Sequence, residues 1–344
     1  IGTYTNTCKS NGIYVYEFNA NSGDFKLKSS SENVVNPSYL SVSADNKFVY
    51  AVNENGSQST VSAFGYHAKS GKVTFLNKND ALGDDPCHLI NDDKNVIVAN
   101  YSGGNLAVFK KNSDGSISNV QQLIQHEGKG LNATRQEKAH VHMVCFSPDK
   151  KYVLSNDLGL DQVFIYKYNP NSKNEILTLK EKVAVKSGSG PRHLTFSKDG
   201  KFVYLIQELD GTLTTFSYNK DGSLKLLKEI NIIPKGFTGV TGSAAIKISP
   251  DGNFLYVSDR GDVNSILVYK ILKEGNVELV EQVSTLGKGP RDFAIDPIGN
   301  YLLVGHQYTN DIVIFKRDKV TGKLTNTGKR IELCSPVGLV FTKI

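Results

Sequence analysis

A segment of about 50 residues recurs along this chain, and a recurring supersecondary unit of that length decides the architecture before any single motif does. Its clearest copy runs Gly190-Pro-Arg-His-Leu-Thr-Phe-Ser-Lys-Asp-Gly-Lys-Phe-Val-Tyr-Leu-Ile-Gln-Glu, then Gly211-Thr-Leu-Thr-Thr-Phe-Ser-Tyr and Asp221-Gly-Ser-Leu. Gly289-Pro-Arg-Asp-Phe-Ala-Ile-Asp-Pro-Ile-Gly-Asn-Tyr-Leu-Leu-Val-Gly-His-Gln, followed by Asp311-Ile-Val-Ile-Phe and Thr321-Gly-Lys-Leu, matches it position by position. The aligned copies start at Pro37, Pro86, Val141, Pro191, Ser243, Pro290 and Pro336.

Each copy holds short runs of Val, Ile, Phe, Tyr or Leu divided by Asp-Gly-like turns, and no stretch sustains a helical period. Four strands per unit of this length is the pattern of a propeller blade. The last start, Pro336, leaves room for one strand before Ile344, while Gly12-Ile-Tyr-Val-Tyr-Glu-Phe and Ser22-Gly-Asp-Phe-Lys-Leu match the third and fourth strands of the other copies. The expectation is therefore an all-β, seven-bladed β-propeller with four-stranded antiparallel blades. Residues 1–344 form one domain in this reading, its last blade shared between 1–34 and 335–344. A C-terminal strand joining the N-terminal segment closes the ring and removes exposed sheet edges.

Composition agrees with a folded chain: 39% of residues are hydrophobic and 22% charged, with a net charge of +6 that is spread without a basic block. A nucleic-acid or membrane partner is not expected, whereas a small anionic ligand is. No run approaches the roughly 18 apolar residues of a membrane helix. Met143 is the only methionine, which leaves a removed leader open; a cytoplasmic location is the expectation, with an exported form as the alternative. Cys8, Cys87, Cys145 and Cys334 lie far apart without metal-site spacing, so free thiols are expected. The oligomeric expectation is a monomer or a weak homo-oligomer.

In a propeller the start of each innermost strand faces the axis, so the residues following the seven starts form a ring: Ser38, Cys87, His142, Arg192, Ala244, Arg291 and Val337. A second ring, at the end of the next strand, holds Glu54, Glu208, Arg260 and Gln307, with Tyr101 and Asp157 nearby. Charges converging on an axis lose hydration unless they are paired or bind a ligand, so these rings mark an anion site, or else ion pairs filling the channel mouth. Residues 125–139 form a long polar insertion, which adds Arg135 and Gln136 beside His140 and His142. Two histidines at that spacing could hold a metal, but no third ligand is evident nearby, and no metal or cofactor is expected. P-loop, zincin and hydrolase-elbow motifs are absent from the sequence.

Together, Ile1-Gly-Thr-Tyr-Thr, Asn36-Pro-Ser-Tyr-Leu, Tyr50-Ala-Val-Asn-Glu, Arg135-Gln-Glu-Lys-Ala-His-Val-His, Asp157-Leu-Gly, Gly190-Pro-Arg-His, Asp259-Arg-Gly and Gly289-Pro-Arg resemble the lactonase family of seven-bladed propellers. That family includes a bacterial 6-phosphogluconolactonase and the fungal carboxymuconate-lactonising enzyme. The resemblance spans nearly the whole chain and implies a lactone-directed site at one end of the channel. Two positions depart from the family pattern: Ala139 stands where Pro is usual, and Asp259 where Asn is usual.

The expected activity is hydrolysis of a phosphorylated or acidic sugar lactone, foremost 6-phosphogluconolactone, with His142, Arg192, Glu208 and Arg260 as catalytic residues. Arg135, Gln136, His140, Arg291, Gln307 and Glu54 are the expected substrate-binding residues. Glu208 or His142 would activate water, and Arg192 and Arg260 would stabilise the oxyanion. Two alternatives compete: a muconate-type lactonising cycloisomerase using the same residues, and a non-catalytic propeller that binds a protein partner. The last predicts an exposed apolar patch, the enzymes a polar pocket.

Overall fold

The computed structural model describes residues 1–32 and 34–342. The repeat becomes six four-stranded antiparallel sheets, each meandering from an inner to an outer strand, as in Pro191–Phe196, Phe202–Gln207, Thr212–Tyr218 and Leu224–Asn231. Six of the seven expected starts are the first residues of strands: Pro86, Val141, Pro191, Ser243, Pro290 and Pro336. The remaining copy begins at Leu40 instead of Pro37.

A local motif explains why each inner strand turns into the next. Ser43, Ser147, Ser197 and Ser249 each donate their hydroxyl to the Asp two residues on, and accept the backbone N–H of Phe48, Tyr152, Phe202 and Phe254 respectively. Turns of this kind satisfy their polar groups locally, which lets the flanking strands be apolar. The two middle strands of each sheet are nearly all buried, and their side chains interdigitate with those of the neighbouring sheet, as Ile97, Leu106 and Val108 do with Val153, Phe164 and Tyr166. Burying each such aliphatic side chain stabilises the fold by roughly 1.5–3 kcal/mol. Inner strands of successive sheets touch one another and so surround a common axis.

The expectation of seven four-stranded blades is corrected. Among the described residues there are six, and the chain ends form two separate two-stranded ribbons: Gly2–Thr3 with Pro336–Gly338, and Tyr14–Phe18 with Phe25–Ser30. Only a single bridge, Gly2 to Ile13, links the ribbons. Gly2–Thr3 pairs with Pro336–Gly338, but that two-residue strand is too short to extend the ladder of Tyr14–Phe18. Asn33, Lys343 and Ile344, which that expectation included, lie outside the described residues.

A second correction concerns the cysteines. Cys8 and Cys334 form a disulfide across 326 positions, and only Cys87 and Cys145 are free thiols. Sequence spacing could not reveal this pair, because ring closure brings the two chain ends together. With only two or three paired residues holding that seam, a cross-link closing almost the whole chain into one loop restricts the unfolded state strongly. The Cys8→Ser/Cys334→Ser double variant is expected to lose roughly 2–5 kcal/mol of stability, read by urea denaturation without reductant; equal midpoints for variant and parent would show that the seam holds without the bond.

Candidate functional site

The residues that face the axis do so through a backbone irregularity repeated in five sheets. At the start of each inner strand the register skips: Pro86 and His88, Val141 and Met143, Pro191 and His193, and Pro290 and Asp292 are paired across a shift, and Ser243 to Ile246 likewise. Cys87, His142, Arg192 and Arg291 are the extra residues of these bulges. A bulge re-aims one side chain out of the strand's alternation, and here it turns each toward the channel. Before two of them stands a glycine in the left-handed region, Gly190 at φ 67° and Gly289 at φ 71°. A Cβ on Gly190 would lie 2.7 Å from the Leu209 side chain. Its N–H donates to Asp161 and its carbonyl accepts from the Glu208 N–H, so one turn fixes the backbone at both Arg192 and Glu208.

Glu208 is the centre of the site. Its carboxylate accepts from Arg192 Nε at 2.8 Å and Arg135 Nη2 at 2.6 Å, and pairs with Arg260 Nη2 at 3.0 Å. His142 Nε2 lies 3.8 Å away. Burial opposes its charge, but Arg260, Arg192 and Arg135 prevail and hold the carboxyl well below the usual carboxylate range. Glu208 is therefore a fixed anion that orients three guanidiniums and is a poor proton acceptor at neutral pH. Arg192 is 2% exposed and also donates to the Ala244 carbonyl; Arg260 donates to the Gly242 carbonyl.

A second cluster stands across the channel. Glu54 accepts hydrogen bonds from Tyr4 Oη at 2.8 Å and from Ser38 Oγ, and lies 3.7 Å from Arg291 Nη2. The Arg291 guanidinium sits 5.5 Å from the centre of the Tyr4 ring. Four arginines thus meet two glutamates. Because charge buried here cannot be fully hydrated, the surplus cations make the site attractive to an anion.

The other expected residues divide. Arg135, carried in by the insertion, reaches the site and also donates to Tyr101 Oη at 3.2 Å. His140 stacks on Tyr101 at 4.5 Å and lies 3.1 Å from Glu137, forming part of the rim. Gln136 does not reach the site: it is fully buried, donates to the Leu158 carbonyl and accepts from the Asn132 N–H, so it anchors the insertion. Gln307 occupies its ring position, but its backbone N–H donates to the Gly289 carbonyl and its side-chain oxygen has no partner among the described residues. Asp157 turns away to pair with His126 at 2.7 Å and to accept the His140 N–H, leaving Leu158 at the ring position. Sequence reasoning missed Tyr4, whose partners lie 50 and 287 positions away; its one signal was the Ile1-Gly-Thr-Tyr-Thr motif.

Beneath the ion clusters the channel is lined by imidazoles. His142 and His193 are 5.4 Å apart between ring centres, His193 and His88 are also 5.4 Å apart, and His88 lies against Tyr39 at 4.0 Å. Burial, then the field of Arg192, lowers all three; His88 falls to about 3, and His142 and His193 lie well below their ordinary value. Folded histidines that stay neutral where unfolded ones, near 6.5, take a proton make the unfolded state the greater proton binder as pH falls. Stability should therefore be fully present above about 6.5 and drop between pH 6.5 and 5 by roughly 1.4 kcal/mol per unit for each histidine. Urea denaturation at pH 7, 6 and 5 measures this, and His88→Gln should remove one share; a flat profile would mean that the channel histidines protonate within the fold.

With this geometry in view, the chain can be set against known proteins. The family model described as "Lactonase, 7-bladed beta-propeller" matches residues 1–341. A 6-phosphogluconolactonase of Formosa agariphila is 37% identical over 94% of this chain and 93% of its own length. That of Bacillus subtilis is 34% identical over 99% and 97%. The solved structure of a periplasmic gluconolactonase from Pseudomonas aeruginosa superposes with a TM-score of 0.92 at 34% identity, covering 98% of this chain and 96% of that one. Ordered repeats, the ring of arginines and these full-length matches agree, and the chain belongs to the lactonase family of β-propellers.

Proposed function

We propose that this chain hydrolyses 6-phosphogluconolactone, opening an anionic sugar lactone to its acid. The carrying observation is the surplus of cations: Arg192, Arg260 and Arg291, largely buried, and Arg135 at the exposed rim, against Glu54 and Glu208, gathered around one channel mouth. A phosphorylated lactone supplies the missing negative charge, and its ester carbonyl supplies an oxygen on which charge develops in the transition state. A converging cluster of charged side chains of this kind is what an enzyme reading expects, and a protein-docking propeller has no use for it.

The residues divide the work by exposure. The Arg135 side chain is 43% exposed, and Arg260 is less buried than Arg192, so these two meet the solvent-facing phosphate and bind it as paired guanidiniums. Arg192, held rigid by Glu208 and the Ala244 carbonyl, stabilises the oxyanion, with Arg291 opposite. His142 moves the proton. It is neutral at rest, and the incoming anion offsets the field of Arg192, which raises its basicity when the reaction needs it. Glu208, among three guanidiniums, orients them and does not act as the base; this narrows the earlier choice between Glu208 and His142.

Arg192→Ala should lower kcat/KM on 6-phosphogluconolactone roughly a hundredfold, the value of an oxyanion donor worth about 3 kcal/mol. The phosphorylated lactone should be preferred over unphosphorylated gluconolactone, with most of the preference lost in Arg260→Ala. Lactone disappearance followed by NMR above the spontaneous rate tests both; no acceleration by the wild-type protein would remove the lactonase reading.

A further inference from the structure

Cys87 sits between the two ion clusters and is used by neither. It occupies the bulge position of its inner strand, and its exposure is 7%. Its Sγ lies 3.6 Å from His142 Nδ1, 3.3 Å from the His142 carbonyl and 3.8 Å from the Val141 carbonyl. His142 Nε2 faces the Glu208 carboxylate at 3.8 Å. That carboxylate favours the tautomer with the proton on Nε2, which turns the lone pair of Nδ1 toward the thiol. Nδ1 then faces the thiol while Nε2 faces the carboxylate, and the proton that His142 is placed to take is the one on Cys87. Nucleophile, base and orienting carboxylate stand in the order of a catalytic triad, with the looser contacts usual before substrate binds.

We propose that Cys87 is the nucleophile of the lactone-opening step, so that hydrolysis passes through a thioester on this chain; the inference rests on the lactonase reading above. Sγ attacks the lactone carbonyl carbon, its proton passes to His142 Nδ1, and the ring C–O bond breaks. His142 returns that proton to the departing ring oxygen, which becomes the hydroxyl of the acyl chain. Water then attacks the thioester carbon with His142 taking its proton, the S–C bond breaks, and the thiol is re-formed as the carboxylic acid leaves and ionises. Arg192 and Arg291 both favour negative charge at the thiol. Burial keeps the resting thiol protonated. A protonated nucleophile suits this arrangement, because the base removes the proton during attack, as it does from the hydroxyl of a serine triad.

The experiment compares wild type, Cys87→Ala and Cys87→Ser on 6-phosphogluconolactone, with acid quenching and peptide mass spectrometry. The expected result is a loss of kcat of at least about a hundredfold in Cys87→Ala at unchanged thermal midpoint, partial activity in Cys87→Ser, and a lactone-mass adduct on the Cys87 peptide of wild type. Turnover in Cys87→Ala within a few-fold of wild type overturns the proposal, as does activity loss in that variant without any adduct in wild type. A parallel trial with p-nitrophenyl acetate separates the two readings and does not depend on the variants. A stoichiometric burst with acetylation at Cys87 supports the nucleophile even if the wild type proves inactive on lactones. No acetylation, with normal lactone turnover, sinks the nucleophile and leaves the lactonase reading standing.

Discussion

Burying charge at the axis is the constraint from which the rest of this structure follows. Each guanidinium removed from water needs a carboxylate or carbonyl within hydrogen-bond reach, or its desolvation outweighs what the fold gains. Glu208 meets that need for three arginines at once, and the backbone carbonyls of Ala244 and Gly242 each accept one further N–H, from Arg192 and Arg260 respectively. The pairing is incomplete in charge, and Arg291 lies 3.7 Å from Glu54, beyond hydrogen-bond reach. What is left over is a net positive charge around Glu208 and Glu54.

The backbone makes that arrangement possible. An ordinary strand alternates its side chains between faces, and neither face of a blade looks down the axis. The repeated bulge at the start of the inner strands breaks the alternation once, at Cys87, His142, Arg192 and Arg291. The five sheets that carry the bulge differ in which residue occupies it. Where it is Ala244, the space is filled by the Arg192 guanidinium of the preceding blade, whose donor reaches the Ala244 carbonyl. Function is thus written onto a uniform scaffold by varying single positions around a ring.

Much of this was legible without coordinates. The starts at Pro86, Val141, Pro191, Ser243, Pro290 and Pro336 emerge from repeat alignment because turn chemistry and strand periodicity are local properties. Arg192, Glu208, Arg260 and Arg291 emerge because a repeat exposes the positions at which it stops being uniform. Gln136 was misplaced, since a loop outside the repeat has no register to say which side chain turns inward; Arg135 reaches Glu208 while its neighbour anchors the loop. The Cys8–Cys334 bond was invisible and Tyr4 was signalled only by its motif, because both depend on the meeting of the chain ends, and the expected seventh four-stranded blade failed at that same seam.

Sequence by itself determined the strand pattern, the radial repeat and the kinds of side chain that converge, because hydrophobic alternation and turn residues act over a few positions. Only the tertiary structure decided the environments within the cluster: that Glu208 is an anion paired with three arginines, that burial and Arg192 disfavour charge on the imidazoles beneath it, and that a thiol faces one of them. Those properties depend on burial and on distances between residues far apart in the chain, and neither exists until the ring has closed.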